Sequence, residues 1–348
     1  MFRFVRNLVL GAAFAAGAAA AQAQAPTEIK VSYQPALYWS LPFYVASEKG
    51  WWAELGLKPS FSIFPAGVPQ IAASASKSWD VGGTGSVPAV LGAVRYNLLT
   101  IGLTNDESVG NALMASKTAA DSVLKNPQSL KGQTIVLTAN STGDYAVQSC
   151  LGKWGLKKSD VTIKSMGQAE IISAMSSNNA DYGGLWAPNI YTLEEKVGAR
   201  VICSGKDAGA IVPGALVVRA DYAKEQPGNV AKFLAIYLRT WKWMNAHRPE
   251  AIAMMKKFYE VGGVTISEAS MRKEFDTRPT YDLTGQLKIM NRGAGASDVD
   301  KWMTQIAEFM KSGGTMPEVP PTSRYVTDEY MKMVDRDPKL KAFANNPN

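Results

Sequence analysis

Short strand patterns and helix patterns alternate repeatedly between residues 28 and 103, which leaves few folds open to this chain. Strand-like runs cover Glu28–Tyr33, Lys58–Phe64, Trp79–Val81 and Leu98–Leu103, with helical patterns between them. Strands joined through helices make right-handed crossovers and a mostly parallel sheet. Ligands of such sheets bind beside the helix starts, at the carboxyl ends of the strands. We therefore predict an α/β fold with a binding crevice at that edge.

One strand-to-helix junction, WDVGGTGSVP at Trp79–Pro88, is rich in glycine. We predict a turn at Gly82–Gly85 and a helix that Ser86 caps. A helix start carries unpaired N–H groups and partial positive charge, so it can hold an anion or another acceptor-rich group. A tight turn that binds nothing accounts for the same residues. Two further junctions, Tyr38–Pro42 and Gly67–Gln70, would open on the same crevice.

A second α/β unit is predicted to begin at Thr134–Thr138. The apolar segment Ile211–Arg219 is expected to return the chain to the first unit. The chain would then cross between the units twice, and two crossings make a hinge with a cleft that closes on a ligand. We place lobe one at residues 26–105 plus 219–348, and lobe two at residues 106–218.

The first 25 residues have the organisation of a secretory signal peptide. Arg3 and Arg6 precede an Ala-rich apolar run, Leu8–Ala21, and Ala21-Gln22-Ala23 offers a small-x-small cleavage site. We assign residues 1–25 to this signal and expect a soluble, exported protein. The formal net charge is +7, but the basic residues are scattered rather than clustered, so nucleic-acid binding is not indicated.

Residues suited to catalysis or metal binding are sparse. The single histidine, His247, lies at a predicted helix end, and neither cysteine lies in a nucleophile motif. One histidine and two cysteines do not supply a metal cluster, and Gly83-Thr84-Gly85 lacks the later glycine of a dinucleotide fingerprint. We therefore expect neither an enzyme nor a cofactor. Cys150 and Cys203 can form a disulfide in an oxidising compartment, but the sequence alone leaves this open.

Several short segments, in their order along the chain, carry a family resemblance. They are FYVASEKGWW at Phe43–Trp52, LGL at Leu55–Leu57, PAGVP at Pro65–Pro69, WDVG at Trp79–Gly82, GSVP at Gly85–Pro88, SLKGQ at Ser129–Gln133 and LWAP at Leu185–Pro188. Together they resemble the periplasmic solute-binding proteins of ABC importers in the sulfonate/taurine/nitrate-type group, within the superfamily that includes pyrimidine-precursor-binding proteins. The resemblance implies a type II periplasmic binding protein fold, in which two α/β lobes joined by a two-stranded hinge flank a ligand cleft.

By this resemblance, the protein captures a small organic sulfonate, a taurine-like compound or a related polar solute and delivers it to the permease subunits of an ABC importer. We also expect a monomer that meets the membrane only through the permease. The residues that the resemblance places at the ligand are Gln34, Tyr38, Trp39, Gly67, Val68, Thr84, Gly85, Ser86, Ser141, Thr142, Tyr145 and Trp186. Their N–H groups and hydroxyls can bind an oxyanion without a buried lysine or arginine, and the rings of Tyr38, Trp39 and Trp186 can cover an organic moiety. Packing in the core of a lobe accounts for each of these rings as well.

Acidic residues near the first lobe crossing complicate this assignment, and we add Glu107 to the candidate ligand residues. Asp106 and Glu107 lie at that crossing, and Asp144 lies at a helix start where Ser141 offers a capping box. If Asp106 and Glu107 face the cleft, the ligand should carry a cationic group, as taurine does, because a carboxylate aimed at a pure anion costs affinity. A solvated loop and a helix cap account for the same acids. A pyrimidine or thiamine precursor, an aromatic acid and a sensory role are the alternatives for function.

Overall fold

The computed structural model describes residues 25–348, so the predicted signal peptide lies outside the described residues apart from its last position. Among the helices of residues 25–348, none combines the length and the apolar composition that a membrane span requires. Its strands β1 to β10 are Thr27–Tyr33, Leu57–Ile63, Val81–Gly85, Leu98–Asp106, Asn111–Ala115, Thr134–Leu137, Thr162–Ser165, Tyr182–Trp186, Arg200–Ser204 and Pro213–Arg219. Its helices α1 to α16 are Leu41–Glu48, Trp51–Glu54, Gly67–Ala73, Ser86–Tyr96, Ala120–Lys125, Thr142–Lys153, Gln168–Ser176, Asn189–Val197, Ala220–Glu225, Pro227–Ala246, Arg248–Val261, Glu268–Asp276, Leu283–Ile289, Asp298–Ser312, Glu329–Arg336 and Pro338–Ala344.

The strands of residues 25–348 form two sheets, in the orders β2-β1-β3-β10-β4 and β7-β6-β8-β5-β9. In the first sheet β1 pairs in parallel with β2 and β3, and in the second β6 pairs in parallel with β7 and β8. The strands β10 and β5 run antiparallel to their neighbours. The predicted α/β class is confirmed. We call the first sheet with its helices lobe one and the second sheet with its helices lobe two.

The chain crosses between the sheets twice, at residues 107–110 after β4 and at residues 205–212 before β10. The predicted lobe boundary at residue 218 is wrong, because β10 lies between β3 and β4 in the first sheet. All residues of β10 are buried, as is typical of an apolar strand with both faces of its sheet covered. The expected return of this segment to the first unit is confirmed.

The glycine-rich junction differs from its prediction. Gly82, Gly83 and Gly85 belong to β3 rather than to a turn, and none has a positive φ. Close approach is what requires glycine here, because a Cβ on Gly83 would lie 2.5 Å from the carbonyl oxygen of Trp39. The helix α4 begins at Ser86 as predicted, but Gly85 holds the N-cap position, so Ser86 is the first helical residue and not the cap.

Cys150 of α6 and Cys203 of β9 form a disulfide, with their Cα atoms 6.0 Å apart. Both residues are buried. The bond ties α6, whose first turn borders the cleft, to the strand that precedes the second crossing. This pairing is the outcome that the sequence left open, because it depends on the distance between two elements far apart in the chain.

Candidate functional site

A small cavity lies between the two lobes, beside the carboxyl ends of β1, β3 and β8. Lobe one lines it with Gln34, Trp39, Gly67, Gly85 and Pro88, and lobe two with Ser141, Thr142 and Trp186. Its volume is about 10 Å³, roughly the space that the centre of one water molecule needs. The described conformation is therefore closed, and a solute larger than water would need the lobes to move apart.

Sequence reasoning anticipates most of this lining. Every lining residue except Pro88 belongs to the predicted ligand set. The prediction missed Pro88, although its place in the GSVP motif, in the first turn of α4, is a signal that could have identified it. The predicted residues that do not line the cavity are Tyr38, Val68, Thr84, Ser86, Glu107 and Tyr145.

On the lobe-one side, α4 points its N-terminal end at the cavity through Gly85. Ser86 follows, fully buried, and its hydroxyl has no hydrogen-bond partner within the described chain. Leaving a buried polar group unpaired costs about 1–3 kcal/mol. The first N–H groups of a helix likewise lack partners within the helix and carry partial positive charge. This end of α4 is therefore rich in unused donors.

On the lobe-two side, α6 begins at Thr142 with Ser141 as its N-cap. The Ser141 hydroxyl accepts a hydrogen bond from the Asp144 N–H at 3.1 Å and donates to the Thr138 carbonyl at 2.7 Å. The Asp144 carboxylate accepts from the Asn140 N–H at 3.0 Å, and burial raises its pKa. Ser141 therefore caps α6, but the Asp144 carboxylate binds the N–H of Asn140 rather than that of Ser141, so the second half of the predicted capping box is not formed. Asp144 serves the loop before its own helix and not the cavity.

The two helix starts meet directly. A Cβ placed on Gly85 would lie only 2.7 Å from the Thr142 methyl carbon. Trp186 stands beside the same turn of α6, because a Cβ on Gly143 would lie 3.4 Å from its ring. The N-terminal ends of two helices from different lobes therefore face one small space, with a tryptophan on its lobe-two wall.

Buried amides fix the floor of the cavity in lobe one. The Gln34 amide donates to the Thr84 hydroxyl at 2.9 Å and to the Gln70 amide oxygen at 2.6 Å. Gln70 in turn donates to the Ser32 hydroxyl at 2.9 Å and to the Gly83 carbonyl at 3.1 Å. Thr84 therefore orients Gln34 rather than lining the cavity. Gln70 was not predicted, although its position in the first turn of α3 places it beside β3.

Glu107 lies behind the Trp39 indole rather than in the cavity. The indole N–H donates to the Glu107 carboxyl, which also accepts from the Asn111 amide at 3.3 Å. Burial raises the pKa of this carboxyl to about 8. Its neighbour Asp106 accepts hydrogen bonds from the N–H and the hydroxyl of Ser108. A direct contact of either acid with a solute is therefore not supported by this conformation.

Two aromatic residues that were predicted to contact the ligand pack against other parts of the protein instead. Tyr38 is buried in lobe one, where its ring stacks on Trp241 with centroids 4.7 Å apart, and its hydroxyl lies 2.9 Å from the Arg278 carbonyl. Arg278 itself forms a fully buried ion pair with Glu274. Tyr145 packs on the ring of Phe309 in lobe one. Val68, the remaining apolar candidate, is half-buried against the core of lobe one. Sequence spacing could not separate these positions from cavity positions.

The cavity lining carries no charged side chain. Within residues 25–348 there is also no group of three or more His, Cys, Asp or Glu residues placed to hold a metal ion. What the site offers is N–H groups, hydroxyls, one amide and two indole faces. Such groups bind and orient a solute.

Known proteins resemble this chain along most of its length. It is 27% identical over 229 residues to a putative aliphatic sulfonates-binding protein of Bacillus subtilis, covering 64% of this chain and 67% of that protein. It is 27% identical over 334 residues to the taurine-binding periplasmic protein of Escherichia coli, covering 89% and 94% of the two chains. These relatives are binding proteins and not enzymes.

Solved structures share the fold. The periplasmic aliphatic sulphonate binding protein SsuA from Escherichia coli superposes with a TM-score of 0.72 at 19% identity, covering 88% of this chain and 99% of that one. The periplasmic nitrate-binding protein NrtA from Synechocystis gives a TM-score of 0.68 at 12% identity, covering 92% and 91%. Residues 39–251, more than half of the chain, match the family described as NMT1/THI5 like. The resemblance predicted from the sequence is confirmed: this chain has the periplasmic binding protein fold and belongs to the NMT1/THI5-like family.

Proposed function

We propose that this protein is exported to the periplasm, captures a small organic sulfonate between its lobes and delivers it to the permease of an ABC importer. The observation that carries the proposal is the meeting of two helix N-termini, α4 from lobe one and α6 from lobe two, across one uncharged cavity. The names of the sulfonate- and taurine-binding relatives point the same way. As the sequence suggests, we propose a monomer without a cofactor.

The helix ends favour an oxyanion as the recognised group. Helix N-termini place N–H donors and partial positive charge at one point, so they stabilise a negative group without a lysine or arginine. The unpaired Ser86 hydroxyl adds a donor beside the cavity, and the Thr142 hydroxyl lies on its opposite wall. A sulfonate has three acceptor oxygens and a single negative charge, which suits donors that approach from both lobes.

The tryptophan walls favour an organic solute over an inorganic anion. Trp39 and Trp186 line the cavity from opposite lobes, and Pro88 adds a further apolar surface. The indole N–H of Trp39 is used by Glu107, so the ring offers the solute its apolar surface. Because Glu107 does not line the cavity, the site has no acid for a cation. We therefore propose that alkanesulfonates bind at least as well as taurine.

Isothermal titration calorimetry and thermal unfolding of the mature protein test this proposal. Ethanesulfonate and butanesulfonate should bind, and at a hundred times the dissociation constant they should add about 2.7 kcal/mol of stability, a shift of several degrees in Tm. Nitrate and sulfate should bind more weakly. Binding of a pyrimidine, a thiamine precursor or an aromatic acid, with no response to any sulfonate, would refute the proposed ligand class.

A pair of glycine substitutions tests the place of binding. Gly85→Ala adds a methyl that would collide with Thr142 when the lobes meet, so it should abolish or strongly weaken sulfonate binding. Gly152→Ala is the matched control, because its added methyl meets no atom within 4 Å. Both variants should fold. Equal affinities of Gly85→Ala and wild type would place the solute elsewhere.

A further inference from the structure

Outside the cavity, the lobes also touch on two flanks. On the first flank, α6 of lobe two meets α14 of lobe one and the loop that follows it. The ring of Tyr145 packs on the ring of Phe309, with centroids 4.9 Å apart, and Tyr145 is more than nine-tenths buried. Beyond α14, the Thr315 hydroxyl donates a hydrogen bond to the Asn140 side chain at 3.0 Å.

These lobe-two residues belong to the segment that carries the cavity wall. Asn140 immediately precedes the cap Ser141, and Tyr145 is one turn beyond Thr142. A contact that holds Tyr145 against Phe309 therefore holds the first turn of α6 against lobe one as well. The first flank is coupled to the cavity by the rigidity of a single helical turn.

The second flank joins α8 of lobe two to α12 of lobe one. Both oxygens of the Glu195 carboxylate accept from the Ser267 N–H at 3.0 Å, and one accepts from the Ser270 hydroxyl at 2.6 Å. A carboxylate of one lobe thus caps a helix of the other. Burial raises the pKa of Glu195, but the hydrogen bonds from Ser270 and Ser267 outweigh burial, so the pKa is held below its usual range.

The contact of Glu195 with α12 lies far from the first crossing between the lobes, at residues 107–110. Beyond the opposite end of α12, Arg278 packs on the first crossing, since a Cβ on Gly110 would lie 3.0 Å from its Cδ. The nine residues of α12 separate the two contacts by about 13 Å at 1.5 Å per residue. A rotation about the crossings therefore stretches the Glu195 contact more than the Arg278 contact.

We propose that Tyr145, Phe309 and Glu195 are positioning residues that hold the lobes closed and so set the affinity for the solute without touching it. The inference rests on the proposed function for its binding readout. A solute that binds the closed form has an apparent dissociation constant equal to the intrinsic one divided by the closed fraction. Weakening a contact made only in the closed form therefore weakens binding, and it does so chiefly by speeding dissociation.

The first flank is tested by a double-mutant cycle on affinity for ethanesulfonate. Tyr145→Ala and Phe309→Ala should each weaken binding by about tenfold, as expected for losing an aromatic pair with its buried area. The double variant should bind at most about twofold more weakly than either single variant, because each single substitution already removes the same contact. Tyr145→Phe keeps the ring and should retain wild-type affinity. A tenfold loss in Tyr145→Phe would instead mean that the Tyr145 hydroxyl contacts the solute, and it would overturn the proposal.

The second flank has a matched control in the same lobe. Glu195→Ala should raise the dissociation rate of ethanesulfonate about threefold or more. This effect is smaller than the tenfold one on the first flank because the Glu195 carboxylate is exposed. Glu170→Ala removes a carboxylate that caps its own helix by accepting from the Gly167 N–H at 2.9 Å, entirely within lobe two. It should leave the dissociation rate unchanged. Equal rates for both variants would overturn the role of Glu195.

A measurement without solute separates this inference from the proposed function. Spin labels on one exposed position of each lobe report the distance between the lobes in the ligand-free protein. Wild type should populate a short distance that Tyr145→Ala and Glu195→Ala lose. Identical distance distributions would overturn the inference. A failure of wild type to bind any sulfonate, with these distances changing as expected, would refute the ligand class alone.

Discussion

The carboxyl of Glu107 makes the stability of this protein depend on pH in a predictable way. The group is about 1% exposed, between the indole of Trp39 and the amide of Asn111. Burial raises its pKa from an ordinary 4.5 to about 8. Between those values the folded protein keeps a proton that the unfolded chain has released, so rising pH favours unfolding. The stability linked to this group is fully present below pH 4.5 and is lost as the pH passes 8.

The size of the effect follows from the two pKa values. At 1.36 kcal/mol per pKa unit, Glu107 should lower the free energy of unfolding by about 4 kcal/mol between pH 5 and pH 9. Glu107→Gln removes the titrating carboxyl, and with it this pH-dependent contribution to the free energy of unfolding. The glutamine keeps an oxygen that accepts from the Trp39 indole. The variant should match wild type near pH 5 and become more stable than wild type by about 4 kcal/mol near pH 9.

Urea unfolding of both proteins at pH 5, 7 and 9 measures this difference. Glu318→Gln, at an exposed carboxyl, controls for the loss of one negative charge. The difference between Glu107→Gln and wild type should grow with pH, and the control should show no comparable trend. Parallel stability curves for wild type and Glu107→Gln would refute the claim that this carboxyl is buried and protonated in the fold.

Other parts of the structure give further expected outcomes. Cys150→Ser removes the disulfide between two cysteines that are 53 residues apart in the sequence. It should lower the free energy of unfolding by about 4 kcal/mol, measured by urea denaturation under oxidising conditions. Gly83→Ala places a methyl 2.5 Å from the Trp39 carbonyl oxygen and should destabilise by at least about 1–3 kcal/mol, visible as a lowered Tm. Arg278→Leu leaves the buried Glu274 carboxylate unpaired and should cost about 3–5 kcal/mol in the same assay. Adding Glu274→Leu to that variant should recover much of the loss, and an unchanged loss would argue against the ion pair.

Local signals in the sequence were enough for the class of fold and for the helix starts at the cavity, whereas the family resemblance supplied the other predicted lining residues. The alternation of strand and helix patterns predicts parallel α/β units, because side-chain periodicity and helix-start residues act within a few positions of one another. The same signals mark Gly67, Gly85 and Ser141 at helix starts, and each of them lines the cavity. The shared geometry of parallel sheets brings such positions to one edge.

Tertiary structure decided what local signals could not carry. The place of β10 between β3 and β4, the pairing of Cys150 with Cys203, and the closed state of the cavity depend on contacts between distant segments. The same holds for Tyr145, which lies at a helix start like its cavity-lining neighbours but turns to Phe309 of the other lobe. Periodicity predicts which side chains are buried. The partner against which each buried side chain packs is set by how whole helices and strands pack together.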